Sequence, residues 1–276
     1  MLGQLRYPGR PAKLEEGRLV DVSTLIFDVD GTLADTERDG HRVAFNLAFQ
    51  EMGLGWDWSE ALYGELLAVT GGKERIRHYL EKYNTSFQKP SAFDAFVVDL
   101  HVAKTRHYTR LLATGDMPLR VGVKRLLCEA RHAGLRLAIA TTTTPANVSA
   151  LLRHSLDEEA ESWFEVIAAG DVVSAKKPAP DIYLYAMAQL GVSATECLAF
   201  EDSENGILSS LGANIPTLIT INDYTKNHQF EGALLVVDQL GEPENPFHML
   251  GGFGGHLCSG EGEYVNLALL ERLSNS

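Results

Sequence analysis

Two aspartates one residue apart, in the run "LIFDVDGTLADTE" at residues 25–37, are the first groups of this chain equipped for chemistry. Thr24 to Phe27 reads as a buried strand, and alternation along a strand sends residues i and i+2 to one side, so Asp28 and Asp30 face one place. Two close carboxylates repel, and each resists the loss of water. Further polar groups follow later apolar runs. Thr141 ends "LAIA", with Thr142, Thr143 and Thr144 behind it; Lys177 and Pro178 sit in a loop; Glu201 and Asp202 follow "CLAF".

Taken singly, each signal is weak. A lone DxD is commonly a loop or helix-cap pair, a threonine run caps helices, and an aspartate after a strand often caps the next helix. A calcium loop is excluded, because a strand precedes the acids and Gly31 is fourth rather than sixth. The ordered occurrence of these groups at successive strand ends is the informative feature. Asp28, Asp30, Glu201 and Asp202 form an all-oxygen ligand set suited to Mg2+, with coordination left for water and a phosphate oxygen. Repulsion between unit charges at about 4 Å costs on the order of 4 kcal/mol at an effective dielectric near 20. A phosphate dianion therefore needs cations here, and Mg2+ and Lys177 supply them. One aspartate of the pair can attack phosphorus, and the other can protonate the leaving oxygen and then activate water. Thr141 can donate a hydrogen bond to the transferring group.

The elements that must position these groups alternate. "VGVKRLLCEARHAG" reads as a helix stopped by Gly134, "LRLAIAT" as a strand, "PANVSALLRHSL" as a helix, and "FEVIAAG" as a strand. "APDIYLYAMAQLG", "CLAFE", "SENGILSSLG", "PTLIT" and "ALLVV" continue the alternation. Continuous apolar strands between helices predict an α/β fold with a doubly wound parallel sheet, and ligands of such sheets bind at the carboxyl ends of the strands. Between residues 36 and 117 no strand alternation occurs, which predicts an all-helical insert opened by Thr36 as N-cap. The expected organisation is an extension at 1–20, a core at 21–35 and 118–240, a helical cap at 36–117, and a tail at 241–276. In the tail, "GGFGGHLCSG" reads as a flexible connector and "EYVNLALLERL" as a final helix.

The 276 residues carry a net charge of −13, with 45% apolar content. That balance argues against nucleic acid or an anionic membrane as partner, and it requires a local cluster of cations if the substrate is an anion. Cys128, Cys197 and Cys258 are far apart and fit no metal-ligand spacing, so they read as reduced, mostly buried thiols of a cytoplasmic protein. No apolar stretch reaches the length of a membrane span.

DVDGT, Thr141, Lys177-Pro178 and Glu201-Asp202 resemble the four motifs of the haloacid-dehalogenase superfamily, over Thr24 to about Asp238. The resemblance implies that Asp28 is the nucleophile, that Asp30 is the general acid/base, and that the insert is the family's mobile cap. Dehalogenase members lack the second Asp, so Asp30 and the Glu201-Asp202 pair favour phosphoryl transfer. "TERDGHRVAFN", "ELLAVTGGKERI", "KKPAPDIY" and "FEDSENG" are similar to the CbbY branch, the xylulose-1,5-bisphosphate phosphatases linked to Rubisco and carbon fixation. By that likeness Glu37, Gly72, Lys73, Arg75, Arg120, Thr142 and Thr143 contact substrate. Without it, Lys73 and Arg75 read as a solvated helix start and Glu37 as first-turn decoration. The activity this likeness implies is Mg2+-dependent removal of the 1-phosphate of xylulose 1,5-bisphosphate, a Rubisco inhibitor, to give xylulose 5-phosphate, by a monomer. A β-phosphoglucomutase-like mutase, a phosphatase of another small sugar phosphate, and a non-catalytic phosphometabolite binder are the alternatives.

Overall fold

The computed structural model describes residues 22–114, 117–258 and 262–274; the extension expected at 1–20 lies outside the described residues. The chain opens with β1 (Thr24–Phe27), then passes through α1 (Arg42–Glu51), α2 (Glu60–Leu66), α3 (Gly72–Lys82) and α4 (Phe93–Leu112). Strands and helices then alternate: α5 (Val123–His132), β2 (Arg136–Thr141), α6 (Pro145–Leu151), β3 (Val166–Ala169), α7 (Asp181–Leu190), β4 (Cys197–Glu201), α8 (Glu204–Gly212) and β5 (Thr217–Thr220). The chain continues through β6 (Leu235–Val237), β7 (Met249–Gly251) and α9 (Leu267–Ser274).

Every side chain of β1 is buried, as a strand covered by helices on both faces requires. β1 lies centrally in the sheet order β3-β2-β1-β4-β5-β6-β7. Its neighbours β2 and β4 run parallel to it, as do the pairs β2–β3, β4–β5 and β5–β6. The strand order reverses at β1, which makes the crevice beside its carboxyl end the expected ligand position. Register brings the polar strand ends level. Phe27 pairs with Ile139 on one side and Phe200 on the other, and the Phe27 and Phe200 rings stack with centroids 4.4 Å apart. Asp28 therefore emerges next to Ala140 and Glu201.

The insert between β1 and β2 is helical, with no strand among its described residues, and it has its own core. Phe45, Phe49, Trp58, Tyr63, Leu66, Ile76, Tyr79 and Leu100 pack together away from the clusters that flank the sheet. A single-turn π-helix, Glu37–His41, joins β1's loop to α1. Thr36 begins it but does not cap it with its side chain, contrary to the sequence expectation. Its hydroxyl is engaged elsewhere: it donates to Asp30 Oδ1 at 2.5 Å.

The glycine-rich tail differs from the expected connector. Met249–Gly251 adds β7, antiparallel to β6, and Phe253–Leu257 forms a short 3-10 helix. Here glycine permits close approach rather than freedom: a Cβ on Gly252 (φ +101°) would lie 2.5 Å from the Cα of Leu235. Arg125 on α5 fastens the tail by donating to Glu242 Oε2 at 2.8 Å and to the carbonyls of Gly241 and Val265 at 2.8 and 2.9 Å. Of the three free cysteines only Cys197 is buried; Cys128 is exposed and Cys258 half-buried. Among the described residues no helix is long and apolar enough to cross a membrane.

Candidate active site

Asp28, Glu201 and Asp202 converge at the carboxyl edge of β1 and β4, each offering a carboxylate oxygen within 4.8 Å of the others. All three are buried. Lys177 enters from the loop before α7; its ammonium donates to Asp28 Oδ1 at 2.7 Å, Glu201 Oε1 at 2.6 Å and the Ala140 carbonyl at 2.9 Å. Tyr183, on the first turns of α7, adds a hydroxyl donor to Glu201 Oε1 at 2.6 Å. Asn222, in the loop after β5, donates to Asp202 Oδ2 at 2.7 Å. Sequence reasoning missed both; the strand-end rule applied to β5 was the signal for Asn222.

The charges of this group do not cancel. Burial pushes the Asp28 carboxyl up to about 8; Lys177 pulls against that, while Glu201 and Asp30 add to it. Asp202 is likewise raised well above the ordinary carboxylate range by burial and by Asp28 and Glu201. Burial works against the Lys177 ammonium, but Asp28 and Glu201 hold it charged, above its ordinary value. Three carboxylates against one ammonium leave two negative charges if all are ionised, which is the charge of one divalent cation. Glu201 Oε2 is buried with no hydrogen-bond partner. A Cβ on Gly206 would stand 1.9 Å from that oxygen, so glycine at the start of α8 is what makes room for the carboxylate. The donor set fits Mg2+.

The carboxylate of Asp30, also expected among the ligands, stands outside that group of three. Its Oδ1 accepts from the Thr36 hydroxyl at 2.5 Å and lies 2.7 Å from His41 Nε2. His41 Nδ1 in turn is 2.6 Å from the Lys104 ammonium, which reaches in from α4. An ammonium only donates, so Nδ1 accepts and Nε2 carries the proton given to Asp30. Burial works to raise the Asp30 carboxyl, but His41, Thr36 and Lys104 outweigh it and draw it down to about 2. Burial lowers Lys104 to about 8. Sequence reasoning singled out neither His41 nor Lys104.

Beyond Asp30 a narrow cavity of about 40 Å³ lies between cap and core. Of the expected substrate residues, Glu37, Gly72, Arg75, Thr142 and Thr143 line it, together with Asp30, His41, Lys104 and Asn147. Thr141 closes β2 beneath them and is buried; its Oγ1 accepts from the Thr143 amide at 3.3 Å. Gly72 is needed sterically, since a Cβ there would meet His101 Nε2 at 2.4 Å. His101 faces the cavity neutral, lowered to about 3 by burial and by Lys104 and Lys73.

Lys73 and Arg120 are engaged elsewhere. Lys73 leaves the cavity rim to pair with Asp171, which also accepts from Lys176 at 2.8 Å. Arg120 spends its guanidinium on the carbonyls of Gly31, Thr220, Ile221 and Asp238, the last three at 3.0, 2.5 and 2.9 Å. It clamps the loop after β1 to those after β5 and β6, and so supports the site without presenting a free charge to a ligand.

The model of the family described as haloacid dehalogenase-like hydrolase matches residues 22–214. Protein CbbY from a plasmid of Cupriavidus necator is 47% identical over 225 residues, covering 82% of this chain and 88% of that protein. Protein CbbY of Cereibacter sphaeroides is 42% identical over 234 residues, covering 85% of this chain and 96% of its own length. A crystal structure of a mutant CbbY from Rhodobacter sphaeroides, in complex with xylulose 1,5-bisphosphate, superposes with a TM-score of 0.74 at 42% identity, covering 85% of this chain and 98% of that one. A β-phosphoglucomutase from Clostridium difficile, at 23% identity and a TM-score of 0.65 over 79% of this chain and 91% of that one, shares the fold.

Proposed function

The chain belongs to the haloacid dehalogenase-like hydrolases, and from that premise we propose that it is a Mg2+-dependent sugar bisphosphate phosphatase. It hydrolyses the 1-phosphate of xylulose 1,5-bisphosphate to xylulose 5-phosphate and phosphate. The observation that carries this reading is the division of the two aspartates: Asp28 stands in the buried acid–lysine group, while Asp30 is held apart by His41 and Thr36. Relatives at 42–47% identity named CbbY, one of them crystallised with xylulose 1,5-bisphosphate, support the choice of sugar.

In the first half-reaction Asp28 is the nucleophile. Lys177 occupies Oδ1, so the attacking atom is Oδ2. A bond forms from that oxygen to phosphorus as the bond from phosphorus to the sugar oxygen breaks, and Asp30 delivers a proton to the leaving oxygen. A carboxyl drawn down to about 2 is ionised in the free protein; the negative charge of an adjacent bound phosphate raises its affinity, so it takes up from solvent, as substrate binds, the proton it then delivers. In the second half-reaction Asp30 takes a proton from water as the water oxygen bonds to phosphorus. The bond to Asp28 Oδ2 breaks, releasing phosphate, restoring the Asp28 carboxylate and leaving Asp30 protonated for the next turnover. Thr141 donates to the transferring group, while Lys177, whose three hydrogens go to Asp28, Glu201 and the Ala140 carbonyl, holds the nucleophile in place and offsets the charge around it. Asp28, Glu201 and Asp202 would hold the Mg2+, which when bound offsets the charge of acids and phosphate. Arg75 and Lys104 receive the second phosphate, and Glu37, Thr142 and Thr143 the hydroxyls.

The functional division is a core at 21–35 and 118–240, a cap at 36–117 and a tail at 241–276. With this substrate the protein acts as a cytoplasmic monomer that clears a Rubisco inhibitor. The test is phosphate release from xylulose 1,5-bisphosphate, ribulose 1,5-bisphosphate and glucose 1,6-bisphosphate with Mg2+. Preferential release from the xylulose compound is expected. Phosphate returned to a second sugar position identifies a mutase instead, and absence of turnover on all three overturns the proposal.

A further inference from the structure

Glu37 and Arg75 both face the cavity and attract each other, yet their closest hydrogen bonds run through a third group. The closest approach of Arg75 Nη1 to Glu37 Oε2 is 3.9 Å. Between them sits Tyr63 of α2, which does not itself line the cavity. Its hydroxyl donates to Glu37 Oε2 at 2.5 Å and accepts from Arg75 Nη1 at 2.8 Å. The ring is fully buried among Phe45, Trp58 and Tyr224, and the Arg75 guanidinium lies over it at 5.1 Å. Arg75 Nε is spent on the Val69 carbonyl at 3.3 Å.

One atom of each charged group remains for a ligand. Among the described residues Arg75 Nη2 has no acceptor and Glu37 Oε1 no donor. We propose that Tyr63 is a positioning residue, a hydroxyl spacer that keeps Glu37 and Arg75 from closing into a direct ion pair and so holds an anion site and a hydroxyl site side by side. This rests on the sugar-phosphate function above and deepens it: the ligand class served is a polyol phosphate, its phosphate oxygen bound to Arg75 Nη2 and a hydroxyl donating to Glu37 Oε1. A carboxylate and a guanidinium this close in a buried setting attract strongly, and their fork geometries match. Without the spacer, the ion pair consumes the atoms meant for the ligand.

Tyr63→Phe removes the oxygen and keeps the ring in its aromatic pocket. A crystal structure of this variant is expected to show Glu37 and Arg75 within direct hydrogen-bond distance. An unchanged 3.9 Å separation overturns the spacer role whatever the enzyme hydrolyses, so this arm is independent of the proposed substrate. In kinetics, Tyr63→Phe should raise KM for xylulose 1,5-bisphosphate roughly 10-fold or more with kcat nearly kept, as for loss of a charge-assisted contact. Turnover of p-nitrophenyl phosphate, which has neither second phosphate nor sugar hydroxyl, should be unchanged. Adding Glu37→Gln to Tyr63→Phe weakens the unwanted pair and should recover part of the lost KM. Equal losses on both substrates, or a double variant worse than the single, overturns the assignment. Failure of the wild type on every sugar bisphosphate overturns the substrate reading instead.

Discussion

Arg75 and Lys73 are two residues apart on one helix, and the structure separates their expected contributions. Arg75 is buried, faces the cavity and keeps a guanidinium nitrogen for a ligand. A charge-assisted bond from a desolvated guanidinium to phosphate is worth about 1.5–3 kcal/mol. Arg75→Ala should therefore lower kcat/KM for xylulose 1,5-bisphosphate roughly 10- to 150-fold. Lys73 pairs instead with Asp171, whose side chain is 62% exposed, and an ion pair at such a surface contributes about 0.2–1 kcal/mol. Its effect on kcat/KM should stay below roughly 5-fold, and Asp171→Ala should reproduce it. The assay is steady-state phosphate release, with p-nitrophenyl phosphate as the control that has no second phosphate to hold. A loss for Lys73→Ala matching that of Arg75→Ala, with Asp171→Ala silent, would refute the separation and put Lys73 on the substrate. Equal losses of Arg75→Ala on both substrates would mean that it supports the cap rather than the ligand.

Asp28→Asn should abolish turnover with the fold retained, because an amide is a poor nucleophile and leaves Lys177 a partner; mass spectrometry should find no phosphorylated protein. Asp30→Asn should cut turnover of the sugar phosphate by roughly 10²–10⁴-fold, the contribution of a positioned acid/base, and a fully active variant would exclude the two-acid scheme. The Asp28 carboxyl is raised to about 8 from an unfolded value of 3.8. The stability of the metal-free protein from this group is complete below about pH 4 and is lost as pH rises through 8. Mg2+ removes that loss, so calorimetry should show a larger rise in Tm with Mg2+ at pH 8 than at pH 5; an equal rise would count against Asp28 as a ligand. Gly206→Ala places a Cβ 1.9 Å from Glu201 Oε2 and should weaken Mg2+ affinity roughly 10- to 100-fold by titration, the usual effect of disturbing a ligand's support.

The sheet and the positions of its reactive ends were legible in the chain, because strand and helix periodicities are local and polar groups after apolar strands can be read residue by residue. Asp28, Lys177, Glu201 and Asp202 were found that way, although Lys177 reaches Asp28 across 149 residues. The direction in which each side chain turns was not legible. Asp30 has the spacing of a partner to Asp28, yet Thr36 and His41 draw it toward the cap, and Lys104 holds His41 from 63 residues away. Arg120, Arg75 and Lys73 are equivalent cations in sequence. Only the tertiary contacts decide that the first spends its charge on backbone carbonyls, the second faces the cavity, and the third goes to Asp171. The tail glycines were misread for the same reason: whether a glycine is free or pressed against another strand depends on a neighbour that no local pattern contains, here Leu235 beneath Gly252. Local periodicity determines where the chain runs. Which charges remain for a ligand is set by hydrogen-bond partners brought together from distant segments, and only the folded chain assembles those.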